Sequence, residues 1–335
     1  MRALLHYDGL MKTFSFIGSD KNAGKTTSFN FVVSHLKKSP LCLTSIGING
    51  EFFDSLENHT KPAIIIPKEA YFVTTVDQLK AHPGAYAIID FLHPPKFSKN
   101  FILAQALDSR TFILEGPNQK SEIIELKNIL KRHFNSMTLL IDGSIDRQFL
   151  GHPSVSDGFF FSLLISNRKE QREKAKDLIT PLHFPIVEEA LKDSILKIKK
   201  EETRSLLFYQ EELLHEGKEI PSLDKELEQK LKQPIPEGST KKILYLNGAL
   251  NKTLYKELSH RKDLHLILDN FTLFQSISSE QQKLGVFLPS ITLLHPLNLQ
   301  GVFFKEELPR SNFFQFPPQI PIYNLHREIP YEIAT

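Results

Sequence analysis

Residues 12–36 read KTFSFIGSDKNAGKTTSFNFVVSHL, and this stretch decides the fold. The run Thr13–Ile17 is apolar and predicts a buried strand, while Lys25–Leu36 carries apolar positions at helical spacing. Between them lies a glycine-containing loop. A strand, such a loop and a helix in direct succession make an anion site: successive loop N–H groups converge, and the helix start adds the positive end of its dipole. Gly24 lets the backbone approach a phosphate with no side chain in the way. Lys25 is then expected at the β- and γ-phosphate oxygens, the Thr26 hydroxyl on magnesium and Thr27 on the α-phosphate. Ser19, Asp20, Lys21, Asn22 and Ala23 complete the predicted wrapping loop. A bare Gly-Lys-Ser/Thr arises by chance roughly 0.2 times in a chain of this length, and the flanking strand and helix reduce that further. The expected ligand is a nucleoside triphosphate with Mg²⁺, ATP by default rather than GTP.

Outward from the loop, residues 12–200 alternate apolar runs with helix-like segments, the pattern of an α/β fold with a mostly parallel sheet. The runs are Thr13–Ile17, Leu41–Ile46, Ala63–Ile66, Tyr86–Ile89, Phe101–Ala104, Thr111–Leu114, Thr138–Ile141 and Gly158–Ile165. The helices are Lys25–Leu36, Ser121–Phe134 with Ser121 as cap residue, and Lys169–Leu178. The close spacing of Phe101–Ala104 and Thr111–Leu114 predicts an antiparallel hairpin. Residues 186–232 are rich in Glu, Lys and Leu and read as exposed helices, ending before Pro234 and Pro236. From Lys241 a second β/α alternation begins, with helices over 251–260 and near 279–284. The proline-rich tail FPPQIPIYNL reads as an edge strand. The expected organisation is a nucleotide-binding domain over 1–200, a helical linker over 201–238 and a smaller C-terminal α/β domain over 239–335.

A phosphate loop of this kind needs a carboxylate at the end of a buried strand to orient magnesium or its water. Asp142 in MTLLIDGSID (137–146) fits, and Asp90 in AYAIIDF (85–91) competes from a similar context. After the second strand, TSIGINGEFFD (44–54) offers Asn49 and Glu51 for contact with the metal or the attacking water; a plain turn is an equal reading of NGE. Lys21 is either a γ-phosphate contact or a solvated lysine. Asn167 in ISNRKE (165–170) reads as a helix cap rather than a base contact, because the aspartate that would clamp guanine is missing.

Composition narrows the alternatives. With 41 basic and 39 acidic residues, the net charge of +2 argues against a dedicated nucleic-acid binder, which would need a basic face to neutralise phosphates. The longest apolar run, 159–165, is far short of the roughly 20 residues that span a membrane. The start carries no apolar stretch of signal-peptide length, and the lone Cys42 excludes an internal disulfide, so a cytoplasmic protein is expected. Cys42 itself lies in an apolar run and reads as a core residue. The histidines and the single cysteine form no zinc-binding spacing, and no Gly-x-Ser-x-Gly elbow is present.

The loop GSDKNAGKT (18–26) resembles that of dethiobiotin synthetases, G-T-D-x-x-x-G-K-T. Its KNAGKTT core is similar to that of the molybdopterin-guanine-dinucleotide-associated GTPases; both belong to the P-loop NTPases related to MinD-type ATPases. The standard pattern would place glycine at 19, where this chain has Ser19 and carries Gly18 instead. Over most of its length the chain resembles an ATPase subunit of the reactivating factor for cobalamin-dependent lysine 5,6-aminomutase. The segments that carry this are RALLHYDGLMKTFSFIGSDKNAGKTT, TSIGINGE, KPAIIIPKEAYFVTT, LLIDGSIDRQFLGHPSVSDG and LYLNGAL. That family tends to hold Asp where this chain has Asn49. The resemblance implies a chaperone-like ATPase whose partners are a second, MutS-like ATPase subunit and the aminomutase client. The reading of the loop and its neighbouring strands gives hydrolysis to Lys25, Asp142 and Glu51, with Thr26 and Asp142 on the metal. A carboxylate-activating enzyme of the dethiobiotin synthetase kind and a regulatory nucleotide switch remain as alternatives.

Overall fold

In the computed structural model, which describes residues 10–36, 40–49, 63–143, 148–221, 224–236, 240–274, 290–306, 316–325 and 329–331, the first apolar run becomes strand β1 (Lys12–Gly18), followed by α1 (Lys25–His35). Next come β2 (Leu41–Ser45), β3 (Gly47–Asn49), β4 (Ile65–Ile66), β5 (Tyr71–Thr74), α2 (Val76–Leu79), β6 (Tyr86–Leu92) and β7 (Phe101–Ala106). The chain continues through β8 (Arg110–Thr111), β9 (Leu114–Gly116), α3 (Lys120–His133), β10 (Thr138–Asp142) and β11 (Gly158–Ile165). It then runs through α4 (Lys169–Ile179), α5 (Glu189–Ile198), β12 (Ser205–Tyr209), β13 (Glu212–Gly217), α6 (Lys225–Lys232), β14 (Lys242–Leu246), α7 (Lys252–Ser259), β15 (Leu264–Leu268) and β16 (Ser290–Leu293). The last strands are β17 (Leu299–Glu306), β18 (Ile322–Asn324) and β19 (Ile329–Tyr331).

Two compact units result. One takes the chain up to Asn167 and, after the return at Asn298, the final strands; the other is Arg168–Leu297 with a short later segment. The first is built on a ten-stranded sheet in the order β19-β18-β17-β11-β1-β10-β2-β5-β7-β6. From β18 to β5 neighbouring strands are parallel; β19 at one edge, and β7 and β6 at the other, are antiparallel. The central strands β2, β10 and β11 are buried at every residue, which is why they read as continuous apolar runs without alternation. Against one sheet face α1 buries Phe29, Val32 and Val33. There Phe16 stacks on Phe160 at 4.9 Å and meets Phe29 edge-on at 5.2 Å. Such ring pairs each add about 0.5–1.5 kcal/mol beyond area burial.

The second unit has a five-stranded sheet, β13-β12-β14-β15-β16, with β14, β15 and β16 parallel and β12 antiparallel to both its neighbours. Helix α5 packs Ile195, Leu191 and Ile198 on a cluster of Leu206, Phe208, Tyr245 and Ile267.

Several expectations are corrected. The segment 201–238 is not a helical linker: β12 and β13 form a hairpin through Gln210 and Glu211, both at positive φ (49° and 68°), and among its described residues only α6 is helical. Residues 239–335 do not form one domain, because β17 leaves the second sheet and pairs in parallel with β11. The first segment of the first unit ends at Asn167 rather than 200. Phe101–Ala104 and Thr111–Leu114 do not pair; β7 lies between β5 and β6, while β8 pairs with β4. Ser121 does not cap α3. The helix starts at Lys120, and Glu122 accepts from the N–H groups of Asn118 and Gln119 at 3.0 and 3.1 Å. The tail strand β18 is internal, with β19 outside it. The helix expected near 279–284 lies outside the described residues.

Candidate functional site

The site grows from the carboxyl end of β1, which lies between β11 and β10 near the middle of the large sheet. In open α/β sheets, ligands bind at the carboxyl ends of the parallel strands. Ser19 ties the loop to β11: its N–H donates to Ser162 O at 2.9 Å, and its Oγ accepts from Leu164 N at 3.0 Å. This buried hydroxyl explains why position 19 needs no glycine. Asp20 turns the chain, its Oδ1 accepting from Lys21 N at 2.8 Å, and Asn22 takes a positive φ of 61°. Ala23 is fully buried. Gly24 caps α1 in the left-handed region, φ 84° and ψ 22°, and its carbonyl accepts from Ser28 N and Ser28 Oγ, both at 2.9 Å. Ser28 Oγ also lies 3.0 Å from Ser162 Oγ, a second fastening to β11.

Lys25 folds back over the loop. A Cβ built on Gly18 would sit 2.8 Å from Lys25 Cδ and 2.9 Å from both Cγ and Nζ. Glycine at 18 therefore makes room for the lysine. One residue on, Thr26 Oγ1 lies 3.4 Å from Asp142 Oδ2. Asp142 ends β10 beside Phe16 of β1 and Ser45 of β2, and it is 1% exposed. Burial pushes its pKa up to about 7, against the opposing pull of the Lys25 charge and the Thr26 hydroxyl. The result is a lysine, a hydroxyl and a carboxyl gathered at the start of one helix. Among the described residues no three His, Cys, Asp or Glu side chains gather to hold a metal. Thr26 and Asp142 are therefore a partial oxygen set, of the kind that suits a magnesium ion keeping phosphate and water ligands.

The other candidates fall elsewhere. Asp90 lies on edge strand β6, five strands from β1, a separation of about 24 Å at the usual strand spacing. There it accepts from or pairs with His133 Nε2 at 2.8 Å. Asn49 ends β3, opposite Leu114 of β9; Glu51 lies outside the described residues. Asn167 is exposed and does not cap α4, whose N-cap is Arg168. Lys21 and Thr27 are half-buried in the loop and first helical turn. Sequence reading missed the Ser19, Ser28 and Ser162 contacts, because small hydroxyl residues give no signal until strands place them together. Ser45, whose Oγ donates to Leu114 O at 2.9 Å and Gly47 O at 2.6 Å, was missed for the same reason.

Together these features define an α/β protein in which a strand–loop–helix unit gathers a lysine, a hydroxyl and a buried carboxyl at the start of one helix. No family model matches the chain, and no curated protein matches it. Among solved structures, the chain is similar to a ParA family ATPase from Chlorobium tepidum TLS at 10% identity, over 88% of this chain and 85% of that one, with a TM-score of 0.24. A score of that size does not establish a common fold, so the class rests on the strand order and loop geometry. Among the described residues no helix is long and apolar enough to cross a membrane.

Proposed function

We propose that this chain is a P-loop NTPase that binds a nucleoside triphosphate, ATP by default, through residues 18–27 and hydrolyses it. One observation carries this: Lys25 is folded over Gly18 while its neighbour Thr26 meets the buried Asp142. In this reading loop N–H groups hold the β-phosphate, and Lys25 neutralises the β- and γ-oxygens. Thr26 and Asp142 hold Mg²⁺, which when bound supplies charge shielding for the departing phosphate. Glu51 is the proposed group for orienting the attacking water.

The test is calorimetric titration with MgATP and MgGTP. Wild-type protein is expected to bind, and Lys25→Ala to lose binding by roughly a hundredfold with an unchanged circular dichroism spectrum, since charge-assisted contacts contribute about 1.5–3 kcal/mol each. Failure of the wild type to bind either nucleotide ends the proposal.

The finer reading is a cytoplasmic, chaperone-like ATPase that couples turnover to a protein partner, here a second ATPase subunit and a cobalamin-dependent aminomutase. A second α/β unit inserted between β11 and β17 favours coupling to a partner over a small carboxylate-activating enzyme. Turnover stimulated by the aminomutase supports this reading. Turnover that needs only an added small carboxylate transfers the case to the synthetase class, and binding without hydrolysis to a regulatory switch.

A further inference from the structure

Helix α1 and the loop before it rest on the last strands of the chain. Phe31 lies 5.6 Å from the Phe303 ring and 5.4 Å from the Tyr323 ring, and those two rings stack at 4.8 Å. Nearer the loop, Leu325 follows β18 directly, and its N–H donates to Phe304 O at 2.9 Å, which anchors it to β17. A Cβ built on Gly24 would lie 2.2 Å from Leu325 Cδ1. A methyl group from the far end of the sequence thus occupies the space beside the glycine that opens α1. Having no Cβ, Gly24 can adopt positive or negative φ, so what packs against it selects its conformation. That choice sets the direction of the N–H groups at the helix start, the groups that face an anion.

We infer that Leu325 is a positioning residue for the phosphate-binding loop: the segment 317–325 forms a wall that holds Gly24 in its left-handed, anion-ready conformation. This rests on the nucleotide reading above and extends it to a segment outside the loop and the magnesium ligands. The wall contributes no polar group to the ligand. It acts by denying the loop its alternatives, so binding and wall order are linked, and linkage is reciprocal. Nucleotide should tighten the wall as the wall tightens the loop.

Hydrogen exchange with and without MgATP tests this on the full chain, together with calorimetry on Leu325→Ala and Leu325→Met. The expected result is roughly fivefold or greater slowing of exchange at the Leu325 amide when MgATP binds. Leu325→Ala should weaken MgATP by a similar roughly fivefold factor, while Leu325→Met, which fills the same space, stays within about twofold of wild type. The inference is overturned if wild type binds MgATP and protects the Gly24 amide, yet exchange at Leu325 is unchanged. It is equally overturned if Leu325→Ala binds as wild type does. Absence of MgATP binding by the wild type removes this inference and the nucleotide reading together, a pattern distinct from the other two. Should Leu325→Ala fail to fold, the exchange measurement on wild type still decides.

Discussion

Gly18 and Gly24 are glycines for different reasons. At Gly18 a side chain would strike the folded-back Lys25; at Gly24 the backbone itself is left-handed and Leu325 fills the side-chain space. Asp142 carries the sharper residue-level consequence. Its carboxyl is held protonated by burial up to about pH 7, so the folded chain binds a proton that the unfolded chain has released above about pH 4. Between those values stability falls as pH rises, and the loss is complete above about 7. At roughly 1.4 kcal/mol per pKa unit it amounts to a few kcal/mol. Asp142→Asn removes the titration. Urea unfolding from pH 4 to 8 is expected to show a flatter profile and a more stable protein at pH 8, while magnesium-dependent turnover is lost. If Asp90→Asn abolishes turnover and Asp142→Asn does not, the assignment of the acid is wrong.

Elements are held where side chains close their ends. Helix α6 has eight residues, too few to be stable alone. At its start Asp224 Oδ1 accepts from Leu227 N at 2.9 Å, while Oδ2 accepts from or pairs with His215 Nε2 at 2.7 Å. At its end Lys242, 2% exposed, donates to the carbonyls of Lys230, Leu231 and Gln233 at 2.8, 3.2 and 2.6 Å. A buried lysine on a strand is thereby a helix C-cap. Burial and the nearby Arg261 charge draw its pKa down. Lys242→Met keeps the apolar stem and deletes three bonds. It is expected to cost about 1–3 kcal/mol, read as faster amide exchange throughout α6.

At the scale of the molecule, the decisive feature is that the chain returns. Strand β11, GFFFSLLI, is uncharged and wholly buried, with β1 on one side and β17 on the other. A chain ending at Leu297 lacks β17–β19 and presents β11 as a long, apolar, unprotected edge, a template for pairing with other copies. Such a truncation is expected to aggregate, whereas a separable C-terminal domain would have left the first sheet intact. Size-exclusion chromatography of the truncated protein checks this; a soluble monomer counts against the return strand as a closing element.

What the amino-acid order determined unaided was local. Strand β1, the loop and α1 were legible because a buried parallel strand is apolar throughout and Gly-Lys-Thr marks a helix start, and β10 and β11 were legible for the same reason. Asp142 was marked as a strand-ending acid, but Asp90 had an equally good context in MTLLIDG's rival AYAIIDF. Only sheet order, which brings β10 beside β1 and sends β6 to the edge, separates them. The β12–β13 hairpin was hidden because Gln210 and Glu211 adopt positive φ without the Asn-Gly or Gly signal such turns usually carry. The return of β17, the fastening of Ser19 by β11 and the approach of Leu325 to Gly24 join residues more than a hundred positions apart. No local pattern encodes such contacts, because they depend on which strands become neighbours, and pairing is settled by packing the whole sheet at once.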